Sequence, residues 1–398
     1  MPSLSRRNFL QTSTALTAFS LLRTDPAFAA EADLIVRTAD PYNAEPRLLA
    51  LVADQITPVK QFYVRNHGPI PTVDVKSYKL TIDGLVEKPL EFSLDALKTQ
   101  FREVSAEATL TCAGSRRQEL SAIKPVSGVQ WDAGAIGNAR WTGVSLADVL
   151  RLAVTKPTAQ HVWFEGLDPI KEKDGSVAPF GGSIPLSKVR SFAAPPSGKA
   201  ADGIQGQQTL LAHSMNGEPL TVEHGFPLRA IVPGYIGARS VKWITKITLS
   251  DRPSPNHYVA EAYKIIQSDS SEEVAAKDPI YDFVINAAIC APAAGATIKA
   301  GSTRVSGYAL PSGNAAAKID KVELSPDGGK SWITARLLNS SAPCTWQQWT
   351  AEVNLPAGKQ ELIVRASDTT GQTMPEHGSW NFKGYLYNGW HRVSVEAT

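Results

Sequence analysis

The second part of the chain consists of short strand-like runs and turns, with almost no helical periodicity. Beyond Ile280, β-type runs alternate with turn sequences such as the one at 326–329. Strands at this spacing are typical of a β-sandwich, since neighbouring strands must then pair through turns. We therefore predict an immunoglobulin-like β-sandwich over residues 276–398. Its predicted strands include 282–286, 303–308, 321–324 and 361–365.

The part before the sandwich mixes strands with a few short helices. Strand-like runs at 78–82 and 162–164 are each followed by a turn-like pair, Asp83-Gly84 and Glu165-Gly166. The runs 93–99 and 145–153 each begin with a serine suited to a helix N-cap. A Pro-rich stretch at 251–256 begins a long connection. Because 398 residues exceed the usual size of one hydrophobic core, we predict a mixed α+β domain at 30–275, ahead of the sandwich.

The first 29 residues differ in character from the rest. Arg6 and Arg7 precede Phe-Leu, an apolar stretch follows around 15–22, and 27–29 reads Ala-Phe-Ala. These features indicate a twin-arginine signal peptide cut after Ala29, although an amphipathic helix is the alternative. Such export carries folded proteins, often ones that hold a cofactor. No other apolar run approaches the roughly 20 residues of a membrane span, so we expect a soluble periplasmic protein.

The three cysteines suggest one special thiol. They form no C-x-x-C pair, so zinc clusters and iron–sulfur clusters lack their usual ligand sets. Cys290 and Cys344 both fall in the predicted sandwich, as a disulfide or as two buried free thiols. Cys112 is followed by small residues, which leave room for a bulky cofactor. Arg116 and Arg117 come next, and their positive charges favour the thiolate form of the cysteine. One protein thiolate suits a metal whose other ligands belong to a cofactor.

Five sequence blocks follow one another along nearly the whole mature chain. They are Phe62-Tyr63-Val64-Arg65-Asn66-His67; Cys112-Ala113-Gly114-Ser115-Arg116-Arg117; Phe164-Glu165-Gly166-Leu167-Asp168; His224-Gly225-Phe226-Pro227-Leu228-Arg229 with its continuation to Trp243; and Gly389-Trp390-His391-Arg392-Val393. These blocks resemble the sulfite oxidase family, in the family's order. The chain is thereby identified as a member, similar to the haem-free periplasmic sulfite dehydrogenases of bacteria.

The resemblance implies one molybdenum–molybdopterin cofactor per chain, with Cys112 as the protein ligand of molybdenum and no haem in this chain. The residues it assigns to cofactor binding are Tyr63, Val64, Arg65, Asn66, His67, Cys112, Asp168, His224, Arg229, Ser240, Val241 and Lys242. The residues it assigns to catalysis are Arg65, His67, Cys112, Arg117, Trp131, Tyr263 and Lys383. Phosphate binding suits Arg, Lys and hydroxyl donors, although any one of these residues, taken singly, could be structural.

Some of these assignments depart from the family or stay open. Lys383 stands where the family commonly places an arginine. A compact ammonium group would therefore replace a planar guanidinium group in the substrate pocket. Ser115 replaces an asparagine. Tyr258 is a rival to Tyr263, because the match in that segment is looser. Trp131 could equally be a packing residue.

The implied reaction is oxidation of sulfite to sulfate, by oxo transfer from molybdenum to the sulfite sulfur. Electrons then leave one at a time for an external acceptor, with a c-type cytochrome as the leading hypothesis. The sandwich resembles the family's dimerisation domain and implies a C2 homodimer, while a stable complex with a cytochrome subunit stays open.

Three other functions remain as alternatives at this point. A related molybdoenzyme would act on carrier-bound sulfane sulfur or on sulfoxides, although a second cation at Arg117 favours a small dianion. An exported binding module would use Cys112 only as a core residue. A cysteine hydrolase would need a nucleophile signature, and none is found. The net charge of +2 gives no reason to expect nucleic-acid binding.

Overall fold

The computed structural model describes residues 34–171, 175–190, 208–339 and 342–398. The signal peptide predicted at 1–29 lies outside these residues. Within the described ranges, every helix is too short or too polar to cross a membrane.

The part before residue 280 contains most of the helices. Its strands are β1 (Ile35–Thr38), β2 (Asn43–Glu45), β3 (Leu80–Gly84), β4 (Leu90–Phe92), β5 (Glu103–Thr111), β6 (Ile136–Ser145), β7 (His161–Lys171), β8 (Val177–Pro185), β9 (Leu210–Met215), β10 (Glu218–Pro219), β11 (Arg229–Ile231) and β12 (Lys246–Ser250). Its α-helices are α1 (Leu94–Gln100), α2 (Arg117–Ile123), α3 (Leu146–Ala153), α4 (Leu186–Arg190), α5 (His257–Ala260) and α6 (Ser271–Ala276). Short 3₁₀ helices cover Leu48–Val52, Val59–Gln61 and Gly237–Arg239.

Two sheets organise this first part. One has the spatial order β10-β9-β6-β5, with β11 also pairing with β9, and all its pairs are antiparallel. The other has the order β4-β3-β12-β7-β8 and is mixed, because β12 runs parallel to β3. Alternate residues of β3, such as Leu80 and Ile82, point into a core shared with α3, as the two-residue period of a strand requires. The predicted α+β class is confirmed.

The helix caps match the sequence in one of two cases. Ser93 caps α1, since its side chain accepts a hydrogen bond from Ala96 N at 3.1 Å. Ser145 occupies the N-cap position of α3, but its side chain makes no cap hydrogen bond. That helix is held instead by its buried apolar face, which includes Leu146 and Val149.

The pair Glu165-Gly166, interpreted as a turn, lies inside β7 instead. Pairing between β7 and β8 is regular up to Glu165 and resumes at Pro169, with an irregular register between them. A Cβ at Gly166 would lie 2.7 Å from Asp168 Oδ1 and 2.8 Å from Lys242 O. The glycine is therefore required by close packing within a bulge, and the bulge buries Asp168.

The second part is the predicted β-sandwich. Its strands are β13 (Asn286–Ala291), β14 (Thr297–Ile298), β15 (Gly301–Leu310), β16 (Ile319–Ser325), β17 (Ile333–Thr334), β18 (Arg336–Leu337), β19 (Gln347–Leu355), β20 (Gly358–Asp368) and β21 (His391–Ala397). The two sheets have the orders β13-β15-β19-β18 and β14-β21-β20-β16-β17. Apolar side chains of both sheets, among them Trp349 and Leu362, form one buried cluster, as in aligned sandwiches.

The prediction of a strand at 282–286 is wrong for most of that range, since β13 begins only at Asn286. Asp282 makes an isolated bridge to Tyr235, and Phe283 N donates to Gly234 O at 3.1 Å. The apolar residues of this stretch therefore pack between the two parts of the chain, where Phe283 is buried.

A buried arginine joins the two parts of the chain. Arg116 is fully buried, and its Nε and Nη2 donate to Glu119 at 2.6 and 2.7 Å. Its Nη1 donates to Asn286 Oδ1 at 2.7 Å, and its guanidinium lies 5.0 Å from the centre of the Tyr387 ring. A guanidinium away from water is tolerated only when its donors are satisfied, so this contact fixes the sandwich against α2.

The three cysteines, all within the described residues, carry free thiols. Cys290 and Cys344 are both buried, and burial raises the pKa of the Cys290 thiol and raises that of Cys344 to about 11. Of the two alternatives left open by the sequence, the structure has the buried free thiols.

The hairpin of β1 and β2 is anchored by a buried carboxylate. Glu45 accepts hydrogen bonds from Arg37 Nε and, at 2.9 Å, from the backbone N–H of Asp132. Its Oε2 has no hydrogen-bond partner among the described residues. Burial raises the pKa of Glu45 from 4.5 to about 7, against the opposing effect of Arg37. The hairpin therefore carries a group that the folded chain prefers to protonate.

We expect Glu45→Gln to flatten the dependence of stability on pH. The folded chain holds a proton on Glu45 that the unfolded chain releases above about pH 4.5, so wild-type stability falls as pH rises from 4.5 to about 7. The fall in the free energy of unfolding is about 3.4 kcal/mol at most, from a shift of about 2.5 pKa units at 1.36 kcal/mol per unit. Urea midpoints between pH 4.5 and 8 measure it, with the exposed Glu91→Gln as the matched control. An unchanged slope in Glu45→Gln would contradict the prediction.

Candidate active site

A cavity lined by both polar and apolar side chains opens in the first part of the chain, as is typical of ligand sites. Its wall is assembled from the segment after the second 3₁₀ helix, the turn after β5, the β7 bulge, the segments flanking β11 and the residue Tyr263. The lining residues are Phe62, Tyr63, Arg65, Asn66, His67, Leu110, Cys112, Ala113, Asp168, Phe180, Glu223, His224, Arg229, Gly237, Ala238, Ser240, Val241, Lys242, Trp243 and Tyr263.

The structure brings together nearly all the residues that the sequence assigned to cofactor binding. Those that line the cavity are Tyr63, Arg65, Asn66, His67, Cys112, Asp168, His224, Arg229, Ser240, Val241 and Lys242. Val64 is buried beside it, and its backbone pairs with that of Ala44. Among the residues assigned to catalysis, Arg65, His67, Cys112 and Tyr263 line the cavity, whereas Arg117, Trp131 and Lys383 do not.

Cys112 sits at the start of a tight turn after β5. Its backbone N–H donates to Ala135 O at 2.9 Å, and its carbonyl accepts from Ser115 N at 3.0 Å. The N–H of Gly114 points at Cys112 Sγ, with 3.4 Å between nitrogen and sulfur. Arg116 ends the turn with a left-handed backbone, φ 63°, and α2 begins at the next residue. The turn therefore holds the thiol against the cavity by backbone bonds alone.

One side of the cavity is rich in buried cations. Arg229 donates from Nη1 to His224 O at 2.9 Å and from Nη2 to Ser240 O at 3.0 Å. Lys242 Nζ donates to Glu223 O at 2.8 Å and to the Asn66 side chain. Burial lowers the pKa of Arg229 to about 10 and lowers the pKa of Lys242 as well. Cations that lose water in this way favour an anionic ligand, such as a phosphate.

Two polar atoms in this region have no partner. Asp168 Oδ1 and Arg229 Nε are buried and make no hydrogen bond with any described residue. Burial raises the pKa of Asp168 to about 6, although Lys242 opposes the shift. Since buried polar atoms are normally satisfied, this pair indicates that the cavity binds a ligand with both donors and acceptors.

The cavity also contains a histidine and a phenol that burial keeps neutral. His67 Nε2 and Tyr263 Oη share a hydrogen bond of 2.8 Å. The His67 ring is stacked on Phe180 at 4.5 Å and contacts Tyr258 at 4.4 Å. Burial lowers the pKa of His67, helped by nearby Arg65, and burial raises the pKa of Tyr263. Tyr263 lines the cavity, whereas its rival Tyr258 packs against the histidine.

Arg117 and Trp131 lie just outside the cavity wall. Arg117 Nε donates to Gly384 O at 3.1 Å and Nη1 to Val129 O at 2.8 Å. Trp131 is fully buried in the apolar cluster that also contains Cys112. Trp131 thus has the packing position that the sequence left open, and Arg117 links the Cys112 turn to the second part of the chain.

Lys383 is engaged away from the cavity. Its Nζ donates to Asp269 Oδ1 at 2.7 Å, and its side chain keeps 24% of its accessible surface. Asp269 precedes α6, so this ion pair fastens the end of the first part to the segment around Gly384. Exposed pairs of this kind contribute at most about 1 kcal/mol.

The sequence did not single out some residues that shape the site. Phe180, under the His67 ring, and Glu223, at the Lys242 ammonium, carry no local signal in the sequence. Gly237 has such a signal, because it belongs to the Gly-Ala-Arg stretch of the fourth family block. A Cβ there would lie 2.6 Å from Tyr63 Oη and 3.1 Å from Thr111 O, so the close approach of these atoms favours a glycine.

Comparisons with known proteins agree with this geometry. The sequence profile named "Oxidoreductase molybdopterin binding domain" matches residues 67–258, and that named "Mo-co oxidoreductase dimerisation domain" matches residues 277–398. Sulfite oxidase of Gallus gallus is 37% identical over 373 residues, covering 90% of this chain and 77% of that protein. Sulfite oxidase of Arabidopsis thaliana is 37% identical over 384 residues, covering 90% and 93%.

A solved structure is also similar throughout. The sulfane dehydrogenase SoxCD from Paracoccus pantotrophus superposes with a TM-score of 0.76 at 25% identity, covering 93% of this chain and 90% of that chain. The matches contradict the alternatives of a binding module and a cysteine hydrolase. The buried cations and the unpartnered Asp168 Oδ1 and Arg229 Nε fit the phosphate and the polar ring of molybdopterin. The chain therefore belongs to the sulfite oxidase family and uses a molybdenum–molybdopterin cofactor.

Proposed function

We propose that the protein oxidises sulfite to sulfate, with water as the source of the added oxygen atom and with release of two electrons and two protons. The observation that carries the proposal is the placement of Cys112 in one cavity with Arg65, His67 and Tyr263. When bound, the molybdenum cofactor transfers an oxygen atom and accepts two electrons. Cys112 would hold the metal through its thiolate.

Arg65 is the cation in the cavity best suited to a dianionic substrate. Its Nη1 donates to Asn43 Oδ1 at 3.3 Å and to the carbonyl of Asn66, so the guanidinium is held by the chain before substrate arrives. A fixed guanidinium binds an oxyanion through charge-assisted hydrogen bonds and discriminates against neutral molecules. Arg65 therefore binds and orients the substrate.

Tyr263 is suited to hold or move a proton beside the substrate. Its hydroxyl is fixed by His67, and both groups are neutral because burial disfavours their charged forms. A neutral phenol can donate a hydrogen bond to an oxyanion, and the neutral imidazole can accept or donate the bond that it shares with the phenol, according to its tautomer. His67 thus positions the Tyr263 hydroxyl.

Oxidation of carrier-bound sulfane sulfur is the second candidate, which the similarity to SoxCD favours. The higher identity supports sulfite as the substrate, since the chain is 37% identical to sulfite oxidases and 25% identical to the sulfane dehydrogenase. The positive charge of Arg65 in the cavity also suits a free dianion better than a sulfur atom on a protein thiol.

We further propose that electrons pass one at a time to a c-type cytochrome in the periplasm. The twin-arginine sequence at Arg6 and Arg7 supports export of the folded protein. We also propose a homodimer formed through the second part of the chain, because that part matches a dimerisation domain. A stable complex with a cytochrome subunit is the other arrangement.

Cys112→Ser should abolish sulfite oxidation, because a hydroxyl is a poor ligand for this metal. Purified protein from a molybdenum-replete host should contain about one molybdenum per chain and reduce both ferricyanide and a c-type cytochrome when sulfite is added. The control Cys290→Ser makes the same change at a buried thiol outside the cavity and should keep activity. A wild-type protein that contains no molybdenum would contradict the proposal. Molybdenum without sulfite turnover would favour the sulfane substrate.

Arg65→Gln should raise the KM for sulfite about 10- to 150-fold, the equivalent of one hydrogen bond to a charged group at 1.5–3 kcal/mol. Steady-state kinetics with ferricyanide would measure KM and kcat separately. Arg304→Gln removes an exposed arginine from β15 and should leave both parameters unchanged. If KM for sulfite is the same in Arg65→Gln as in wild type, Arg65 does not bind the substrate.

A double replacement of the leader arginines, Arg6→Lys with Arg7→Lys, should leave the protein in the cytoplasm. The wild type should be found in the periplasmic fraction with Ala30 as its first residue. Cell fractionation and N-terminal sequencing measure both outcomes. Arg23→Lys changes an arginine outside the pair and should not affect export. Export that persists without the pair would refute the twin-arginine pathway.

A further inference from the structure

A segment of the second part of the chain closes on the Cys112 turn. Leu386 N donates to Ala113 O at 2.7 Å. The segment is stiffened by Asn381, whose side chain donates to Tyr385 O at 2.8 Å and accepts from Tyr385 N at 3.0 Å. Gly384 adopts φ 67°, and a Cβ there would lie 2.9 Å from Arg117 Nε. The backbone of this segment is thus shaped to bring Tyr385 beside the site.

The Tyr385 ring lies between two of the residues assigned to catalysis. It is stacked on Tyr263, with 5.0 Å between ring centres and 24° between planes. The guanidinium of Arg117 lies 5.2 Å from the Tyr385 ring centre, within the range of a cation–π contact. Burial raises the pKa of Tyr385, while Arg117 and Arg65 oppose the shift and Cys112 adds to it. Tyr385 therefore lies within electrostatic range of the thiol and of both arginines.

Arg117 has one nitrogen left to bind a ligand. Its Nε and Nη1 are used by the carbonyls of Gly384 and Val129, and Nη2 donates to none of the described residues. A Cβ at Gly114 would lie 2.4 Å from Nη2, so this nitrogen rests against the Cys112 turn. The orientation of the Arg117 guanidinium decides where Nη2 points. The Tyr385 ring is the aromatic surface beside this guanidinium.

We propose that Tyr385 is a positioning residue for the substrate, which fixes the Tyr263 ring at the cavity and the Arg117 guanidinium just outside its wall, so that the hydroxyl of one and the charge of the other act on a small oxyanion. The inference rests on the proposed function for the identity of the oxyanion. It places part of the machinery for substrate affinity in the second part of the chain. Tyr385 acts through its ring, and its hydroxyl is not required.

The test compares wild type with Tyr385→Phe, which keeps the ring, and Tyr385→Leu, which removes it. For each molybdenum-loaded protein we would measure KM and kcat for sulfite and, by calorimetry, the Kd for sulfate, which needs no turnover. Tyr385→Leu should raise KM and Kd about tenfold, in the range of a desolvated cation–π contact, with kcat within about twofold. Tyr385→Phe should match wild type in all three quantities.

A matched control is Tyr387→Leu, which removes the ring beside Arg116 in the same segment. It should lower the thermal midpoint without changing the Kd for sulfate. Should Tyr385→Leu fail to fold, pentafluorophenylalanine at position 385 keeps the shape while weakening the attraction for a cation, and the same rise in KM and Kd is expected.

The outcomes separate the inference from the proposed function. Equal Kd values for sulfate in wild type and Tyr385→Leu would overturn the inference, as would a Tyr385→Phe variant as weak as Tyr385→Leu. A wild type that binds sulfate but does not turn over sulfite would overturn the proposed function alone, and the Kd comparison would still decide the role of Tyr385. A wild type that does neither would overturn both.

Discussion

The fully buried guanidinium of Arg116 is the contact on which the rest of this structure depends. Its position follows from the left-handed backbone that ends the Cys112 turn, and its donors are met by Glu119 on one side and by Asn286 of the sandwich on the other. Burial opposes ionisation of Glu119, but the charge and hydrogen bonds of Arg116 outweigh it and lower the pKa of Glu119. Removing Glu119 would leave the charge of Arg116 unpaired away from water, and removing Asn286 would leave one of its N–H donors unsatisfied. The two parts of the chain are therefore held together directly after the Cys112 turn.

The cost of burying a charge also governs the cavity, but there the chain offsets that cost less completely than it does at Arg116. Arg229 and Lys242 are buried next to backbone carbonyls, and among the described residues no carboxylate forms a hydrogen bond with either of them, so their cost of desolvation is only partly offset by the chain. A bound anion would stabilise them further. In the same cavity, His67 and Tyr263 avoid this cost by staying neutral. One cavity thus combines buried cations with neutral hydrogen-bonding groups.

Local sequence patterns were sufficient for the sandwich and for the cap of α1 by Ser93, because strands, turns and caps depend on residues close in the chain. They failed at 282–286, whose apolar residues pack against the other part of the chain, and at Gly166, where a packing requirement looks like a turn. Family motifs led to Asp168, Arg229 and Lys242, which no periodicity reveals. Lys383 was expected in the substrate pocket, but its pairing with Asp269 depends on the folded course of both segments.

The bond from Arg117 to Gly384 spans 267 residues, which has a consequence for biosynthesis. At about 5–20 residues per second, a ribosome needs roughly 13–50 s after Arg117 to reach the segment that closes the site. Throughout that interval the Cys112 turn lacks its contacts with Gly384 and Leu386. The cavity lining has all been synthesised once Tyr263 is added, whereas the support behind the thiol is completed only close to the end of synthesis.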